Sequence, residues 1–336
     1  MNKDTLFKFK TALIEHRDAL SEWLNEDSPQ KNIHLGGVSP EAVLQHVSEL
    51  KDTLESIDKG RFGLCCECDG EVETERLELD YSTQVCLSHY TDNQIRDLEK
   101  DLELAGKVQK QLLPSYVPSL PNIQIAVHTD SARIVTGDYY DFFVSKSGNQ
   151  GLVLADVMGK GLPASMLMSN LQASLRILGP EYDELDILTN RLNDLFCNNL
   201  TLIKFISIFL AKINMDSSIL QYCNAGHNPA IWWNAASKSI HRLNPTGPAI
   251  GLTKIANYKM EEVHYGSGDL FIFYTDGLIE TRNSKSEEFG DERLENLVLN
   301  NKDKTASEIV KSLLDTAKSF VGNFQDDVTI LVLKIL

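Results

Sequence analysis

Residues 132–143 read ARIVTGDYYDFF, residues 154–176 LADVMGKGLPASMLMSNLQASLR, residues 269–277 DLFIFYTDG and residues 325–335 QDDVTILVLKI. Each stretch carries aspartate, and three of them set it against an apolar, strand-like run: Asp156, Asp276 and the pair Asp326–Asp327, with Asp138 and Asp141 in the first. Aspartate is disfavoured in strands, so its repeated placement at strand ends needs a reason. Hard cations such as Mg²⁺ or Mn²⁺ supply one, because they are held by several carboxylate oxygens plus water. Two such ions can bridge and acidify a water for in-line attack on phosphorus. A single such aspartate is more often a turn or cap residue; four motifs together point to one metal site fed from several strand ends.

The segments around these motifs set the fold class. IQIAVHT, FFVSK, GLVLADV, SIFLAKI, ILQYCNAG, AIWWN, DLFIFYTDG and VTILVLKI are short, rich in β-branched and aromatic residues, and separated by turn residues. Helical patterns interrupt them at Pro163–Leu178, Asp186–Asn198 and Ala306–Phe320. Many strands with a few inserted helices predict an α+β domain of antiparallel sheets over residues 121–336. Asn224, His227 and Asn228 of NAGHNP are polar enough to be functional, but a turn holding a satisfied histidine accounts for them. The Trp232–Trp233 pair reads as sheet packing.

Upstream the pattern is helical. Leu6, Phe9, Leu13, Leu20 and Leu24 share a helical spacing, and a polar loop follows. Ser39 caps the next helix, with Pro40 at its first position. Val43, Leu44, Val47, Leu50, Leu54 and Ile57 form one face of it, and Gly60 stops it. These two helices predict an antiparallel hairpin. Residues 92–113 are helical again, with Ile95, Leu98, Leu102, Ala105 and Leu112 near an a/d seam and Gln109 as a polar interruption. That seam reads either as packing on its own domain or as a parallel homodimer stem through residues 92–113. Pro114, Pro118 and Pro121 close it. The predicted division is 1–90, a linker helix over 91–120, and 121–336.

Three of the six cysteines crowd at Cys65, Cys66 and Cys68. Cys65 and Cys68 form C-x-x-C, and Cys86, eighteen residues after Cys68, forms C-x-x-H with His89. Two paired knuckles of this kind suit one tetrahedral zinc ion in a closed, structural site. Cys66 is an extra thiol beside it.

Composition removes whole classes of function. The 336 residues carry 32 Lys and Arg against 48 Asp and Glu, a net charge of −16. Residues 1–112 carry 13 against 23 and the remainder 19 against 25, so neither part offers a basic footprint. Binding to free nucleic acid or to an anionic membrane surface is not expected. No stretch approaches a membrane span, and the first residues lack a secretory pattern, which predicts a cytoplasmic protein.

Two resemblances follow from the motifs. FGLCCECDGEVETERLELDYSTQVCLSHY, with the preceding VSELKDTLESIDKGR, resembles the zinc finger of the DksA/TraR family, with His89 where that family has Cys. The loop bearing Asn25, Glu26 and Asp27 does not match the acidic tip with which DksA acts on RNA polymerase. From about Leu98 onward, LELAGKVQKQLLP, ARIVTGDYYDFF, LADVMGKGLPASMLMSNLQASLR, YCNAGHNPAIWW, GPAIGL, FIFYTDGLIETRN, FGDERL and DDVTILVLKI occur in order. They resemble the SpoIIE/RsbU-type branch of the PPM metal-dependent serine/threonine phosphatases.

That second resemblance implies a two-sheet sandwich flanked by helices, with two Mn²⁺ or Mg²⁺ ions at one end and attack by an activated water. It implies Asp156 as the metal-bridging carboxylate, the Val157 carbonyl as a further ligand, and Asp276 and Asp326 as the remaining carboxylates. Asp138 would bind metal directly or through water, and Asp327 as a ligand or one step behind. Gly159 and Gly161 would let the chain turn beside the ions. Arg133 lies where animal relatives hold phosphate, and equally reads as a solvated surface residue. Met158 stands where those relatives have a proton-donating histidine. The implied substrate is a phosphorylated anti-sigma-factor antagonist of the STAS type, in bacterial partner switching, with the zinc module as input. The alternative makes the zinc module a docking element for RNA polymerase or another regulator and the phosphatase domain a scaffold.

Overall fold

The computed structural model describes residues 40–79, 83–159, 161–199, 205–253 and 255–336, with scattered positions between 6 and 21. Its residues group into two compact units, Met1–Asp101 with Asn198–Ile203, and Leu102–Cys197 with Lys204–Leu336. The expected loop with Asn25, Glu26 and Asp27, and the cap Ser39, lie outside the described residues.

In the first unit, α1 runs Pro40–Asp58 and α2 Thr74–Leu79, and a 3₁₀ turn spans Leu87–His89. The described positions between 6 and 21 are helical. Leu13 packs with Leu50, Leu54 and Ile57 of α1, the face that the helical spacing marks. Gly60 follows α1 at φ +66°, a conformation that glycine adopts without strain.

Helix α3 runs Asp92–Leu112, and from Leu102 onward it belongs to the second unit. The expected seam is spent there on the chain's own domain. Gly106 and Gln109 are buried, Leu102, Ala105 and Leu112 are half-buried on the same face, and Leu98, Leu104 and Val108 are exposed. Gln109 is therefore an anchor and no interruption. Its Nε2 donates to the Thr136 carbonyl at 2.6 Å, and its Oε1 accepts from the Thr136 N–H at 2.9 Å. A Cβ on Gly106 would stand 2.5 Å from the Ile134 carbonyl oxygen. Gly→Ala inside a helix usually stabilises by up to ~1 kcal/mol. Here the sign reverses: Gly106→Ala is expected to cost about 1–3 kcal/mol through overpacking, read as a lower urea midpoint at unchanged slope.

The second unit is built on ten strands: β1 Ile123–Asp130, β2 Tyr139–Val144, β3 Gln150–Val157, β4 Ile206–Asn214, β5 Ile219–Ala225, β6 Ala230–Asn234, β7 Ser239–Leu243, β8 Glu261–His264, β9 Leu270–Tyr274 and β10 Val328–Ile335. They form two antiparallel five-stranded sheets, ordered β1-β10-β9-β6-β7 and β2-β3-β4-β5-β8. Phe142, Leu152, Leu154, Phe209 and Tyr222 of one sheet meet Ile123, Phe271, Phe273, Leu331 and Leu333 of the other in a sandwich core.

The alternate residues of β9 and β10, Leu270, Ile272, Tyr274, Ile330 and Val332, point away from that core. They are covered by helices α7 (Gly290–Asn301) and α8 (Ala306–Val321). Burial on both faces explains why LFIFY and VTILVLKI are almost unbroken apolar runs. Helix α8 starts with a capping box between Thr305 and Glu308. Helices α4 (Leu162–Leu178) and α5 (Leu185–Asn199) complete the domain, α4 lying against β2 and β3. A short helix α6 (Asp276–Ile279) follows β9. Trp232 stacks on Phe271 inside the sandwich, while Trp233 faces the helices, so the tryptophan pair packs on both sides of its sheet.

Among the described residues, no helix is long and apolar enough to cross a membrane.

Candidate functional site

Strand polarity brings the aspartate motifs to one end of each sheet. Asp156 is the last residue but one of β3, and Tyr139, which pairs with Ala155, follows Asp138 at the start of β2. Asp276 follows the end of β9, and Asp326–Asp327 precede β10, whose Ile330 pairs with Tyr274.

Asp138 ties the two sheets together. It is buried, and its Oδ2 accepts hydroxyl hydrogen bonds from Thr275 at 2.8 Å and Thr329 at 2.6 Å. The Thr275 hydroxyl oxygen in turn accepts from the Thr329 N–H at 2.9 Å. With one oxygen fixed by two hydroxyls, the other is oriented. Burial pushes the Asp138 carboxyl well above the ordinary carboxylate range, and the negative charges of Asp156 and Asp327 add to the rise, against the two threonines.

Two glycines allow the motifs to touch. A Cβ on Gly137 would lie 3.1 Å from the Val157 carbonyl oxygen and 3.7 Å from Asp156 Oδ1, so the Asp138 loop rests directly on Asp156 and Val157. A Cβ on Gly277 would lie 2.1 Å from the Asp327 carbonyl oxygen and 3.3 Å from Asp326 Cβ. Gly277→Ala must therefore push apart the segments that bear Asp276 and Asp326. The expected result is a loss of about 3 kcal/mol in stability and at least a tenfold loss of divalent-ion affinity, read by calorimetric titration.

Asp327 places both oxygens on the loop before Asp138. Its Oδ1 accepts from Ala132 N–H at 2.9 Å, and its Oδ2 from the Thr136 hydroxyl at 2.7 Å and Gly137 N–H at 2.9 Å. The same loop carries Arg133, which is exposed. Asp156, Asp276 and Asp326 are half-buried. Asp141 lies apart from this group, accepting from the Tyr139 hydroxyl at 2.6 Å and pairing with Arg176 at 3.3 Å. Gly159 and Gly161 have φ of +99° and +74° in the turn from β3 into α4, as the motif spacing requires.

The sequence reading missed the threonines. Thr136, Thr275 and Thr329 each sit within two residues of a motif aspartate, in TGD, TDG and DDVT, and that repetition was the available signal. His227 of the NAGHNP turn is buried. Its N–H donates to Asn224 Oδ1 at 2.8 Å, and its Nδ1 lies 2.8 Å from Ser207 Oγ. The Ser207 hydroxyl reaches the Asp156 carbonyl at 3.4 Å. His227 Nε2 faces the Tyr274 backbone without a hydrogen bond of good geometry. Burial holds this imidazole down to about 4, hence neutral at physiological pH.

A donor set of carboxylates and a backbone carbonyl, crowded enough to raise one member's pKa, fits hard divalent cations and suits no soft one.

In the first unit, the ligand atoms of Cys65, Cys68, Cys86 and His89 lie within 4.8 Å of one another. Burial works to raise the Cys65 thiol, but the backbone N–H groups of Cys86, Glu67 and Cys68 outweigh it and bring it down to about 6. Arg76 crosses between the knuckles, donating to the Val85 carbonyl at 2.7 Å and the Tyr90 hydroxyl at 3.0 Å. Glu73 accepts from Leu87 N–H at 2.9 Å. Cys66 is exposed.

The chain is similar to known proteins. Residues 146–336 match the family model of Stage II sporulation protein E (SpoIIE). Phosphoserine phosphatase RsbU of Bacillus subtilis is 28% identical over 268 residues, covering 76% of this chain and 78% of RsbU. Phosphoserine phosphatase RsbP of the same organism is 26% identical over 189 residues, covering 54% of this chain and 46% of RsbP. Among solved structures, the SiaA-PP2C domain of Pseudomonas aeruginosa superposes with a TM-score of 0.63 at 17% identity, over 73% of this chain and 99% of that one. The RsbU and RsbW domains of Rv1364c from Mycobacterium tuberculosis give 0.59 at 24%, over 67% and 63%. At these identities the structures establish the shared fold of two antiparallel sheets with helices.

Proposed function

The chain belongs to the SpoIIE family and is a protein serine/threonine phosphatase, and from this premise we propose that its substrate is a STAS-type anti-sigma-factor antagonist phosphorylated on serine. The naming of RsbU and RsbP as phosphoserine phosphatases supports serine as the phosphorylated residue. The observation that carries the catalytic reading is the convergence of four motifs, distant in sequence, through the contacts of Asp138, Asp327, Gly137 and Gly277.

In this reading Asp138, Asp156, Asp276, Asp326 and the Val157 carbonyl would hold two Mn²⁺ or Mg²⁺ ions, the metals of this phosphatase family, with Asp327 as a further ligand or one step behind. When bound, the ions supply an acidified water for in-line attack and offset the charge of the phosphoryl group. Thr275 and Thr329 fix the Asp138 carboxylate, and Asp327 holds the loop that carries Asp138 and Arg133. Arg133 orients the phosphate through its planar guanidinium. Met158 has no proton to give, so the leaving serine oxygen takes its proton from solvent.

We assign the division of labour as follows. Residues 1–90 form a DksA/TraR-like module closed by one structural Zn²⁺ on Cys65, Cys68, Cys86 and His89, and it acts as the input. Residues 91–120 transmit its state, since Gln109 grips Thr136 two residues before Asp138. A homodimer through residues 92–113 would use the exposed Leu98, Leu104 and Val108. The protein works in the cytoplasm.

The test incubates the full chain and Mn²⁺ with a serine-phosphorylated STAS-domain protein and follows its intact mass. Loss of the phosphate only when the divalent ion is present is the expected result. Turnover of p-nitrophenyl phosphate with the phosphoprotein left intact would remove the assigned substrate.

A further inference from the structure

Large apolar side chains stand exposed beside the aspartate end of the sandwich. Met158 follows Asp156 and Val157 directly, and Leu162 and Met166 lie one turn apart on α4, whose first residue is Leu162. Backbone contacts lead from Met158 to a second group. The Met158 N–H donates to the Phe205 carbonyl at 3.0 Å, and Ile206 and Ile250 exchange two hydrogen bonds of 2.9 Å. Leu252 comes two residues later and Ile255 shortly after. Met166 is 66% exposed, Leu252 57% and Ile255 95%.

Scattered apolar residues on a surface need no explanation, but large exposed ones on two backbone-linked segments next to a site's aspartates do. Three of them follow Asp156 within ten residues, the other two lie on the segment that the Ile206–Ile250 pair joins to the neighbouring strand, and the substrate of this enzyme is a protein. A folded protein that presents its phosphoserine to Asp156 has to lie over this rim. The chain carries a net charge of −16, so long-range attraction does not hold a phosphoprotein there. Apolar contact does not depend on charge, and methionine side chains adapt to the surface they meet.

We propose that Met158, Leu162, Met166, Leu252 and Ile255 form the docking surface for the folded phosphoserine protein, gripping an apolar patch next to its phosphorylated residue. The inference rests on the phosphatase reading and adds to it the feature that separates protein substrates from small phosphate esters. Substrate binding on this rim adds affinity before the chemical step and acts uniformly on bound substrate and transition state, so its loss raises KM and spares kcat.

The experiment compares the full chain with Met166→Gln, Leu252→Gln, their double variant and the conservative Met166→Leu, all with Mn²⁺. Substrates are p-nitrophenyl phosphate and the serine-phosphorylated STAS-domain protein, and thermal melts verify folding. Expected is a loss of at least tenfold in kcat/KM for the phosphoprotein in the double variant, carried by KM. The aryl phosphate rate stays unchanged, and Met166→Leu behaves like wild type. An equal loss on both substrates would overturn the proposal, because the residues would then support the site itself. An unchanged phosphoprotein rate would overturn it too; if light scattering also showed an altered oligomer, the face would be a contact between copies of this chain. Wild type inactive on both substrates would instead defeat the phosphatase reading, which this design keeps separate.

Discussion

Asp138→Asn is expected to lower turnover of p-nitrophenyl phosphate by about a thousandfold while raising the melting temperature of the metal-free protein. The two effects share one cause. Asp138 is buried, it faces Asp156 and Asp327, and its pKa is held well above the ordinary range. The amide oxygen of asparagine can still accept from Thr275 and Thr329, so the local structure survives. What is lost is the negative charge that holds a cation, worth about 4 kcal/mol of transition-state stabilisation. What is gained is relief of burial and repulsion, about 1 kcal/mol or more, equal to a few degrees in Tm.

The pH dependence has a defined sign. A carboxyl with a raised folded-state pKa stabilises the protein fully below its unfolded value of 3.8, and that contribution disappears as pH rises through the folded value. The advantage of Asp138→Asn over wild type should therefore be absent in acid and grow toward neutral pH. Saturating Mn²⁺ should reverse it, because only wild type then gains from binding. Equal melting temperatures at every pH would show that Asp138 bears no such strain.

The second large effect concerns the proposed zinc module. Its small core consists of Cys65, Val72, Leu77 and Cys86, with Phe9, Phe62 and Val85 at the edge. That is too little apolar surface to hold the segment without help, and a structural Zn²⁺ contributes on the order of 10 kcal/mol. A Cys65 thiol brought down to about 6 is mostly thiolate at neutral pH, the form that binds metal. Cys86→Ser, or a strong chelator, should make residues 62–90 sensitive to limited proteolysis. The purified chain should carry one zinc ion by elemental analysis. A chain free of zinc with an unchanged proteolysis pattern would contradict the assignment.

The catalytic fold was legible because its central strands are buried on both faces. LFIFY and VTILVLKI carry almost no polar interruption and announce themselves as apolar runs. The strands that the sequence reading did not mark are β7, SIHRL, and β8, EEVH. Both sit at sheet edges, where exposed and charged side chains are favoured and no apolar run can form. Helix α3 shows the opposite difficulty. Its a/d-like spacing is real, but spacing alone does not say which surface the seam meets, and the decisive feature was Gly106, small enough to lie on the Ile134 backbone. In the site, the aspartates stood out as charges where strands disfavour them. The threonines that hold Asp138 did not, because threonine is an ordinary strand residue and its hydroxyl gains meaning only from a partner 137 or 191 residues away.

The central claim is that the converging aspartates hold divalent ions that drive phosphate ester hydrolysis. Its most direct test measures p-nitrophenyl phosphate hydrolysis by the full chain with Mn²⁺ added or chelated, beside Asp156→Asn. The account predicts turnover that requires the ion and vanishes in the variant. Turnover that persists in chelator, or that survives Asp156→Asn, would contradict it.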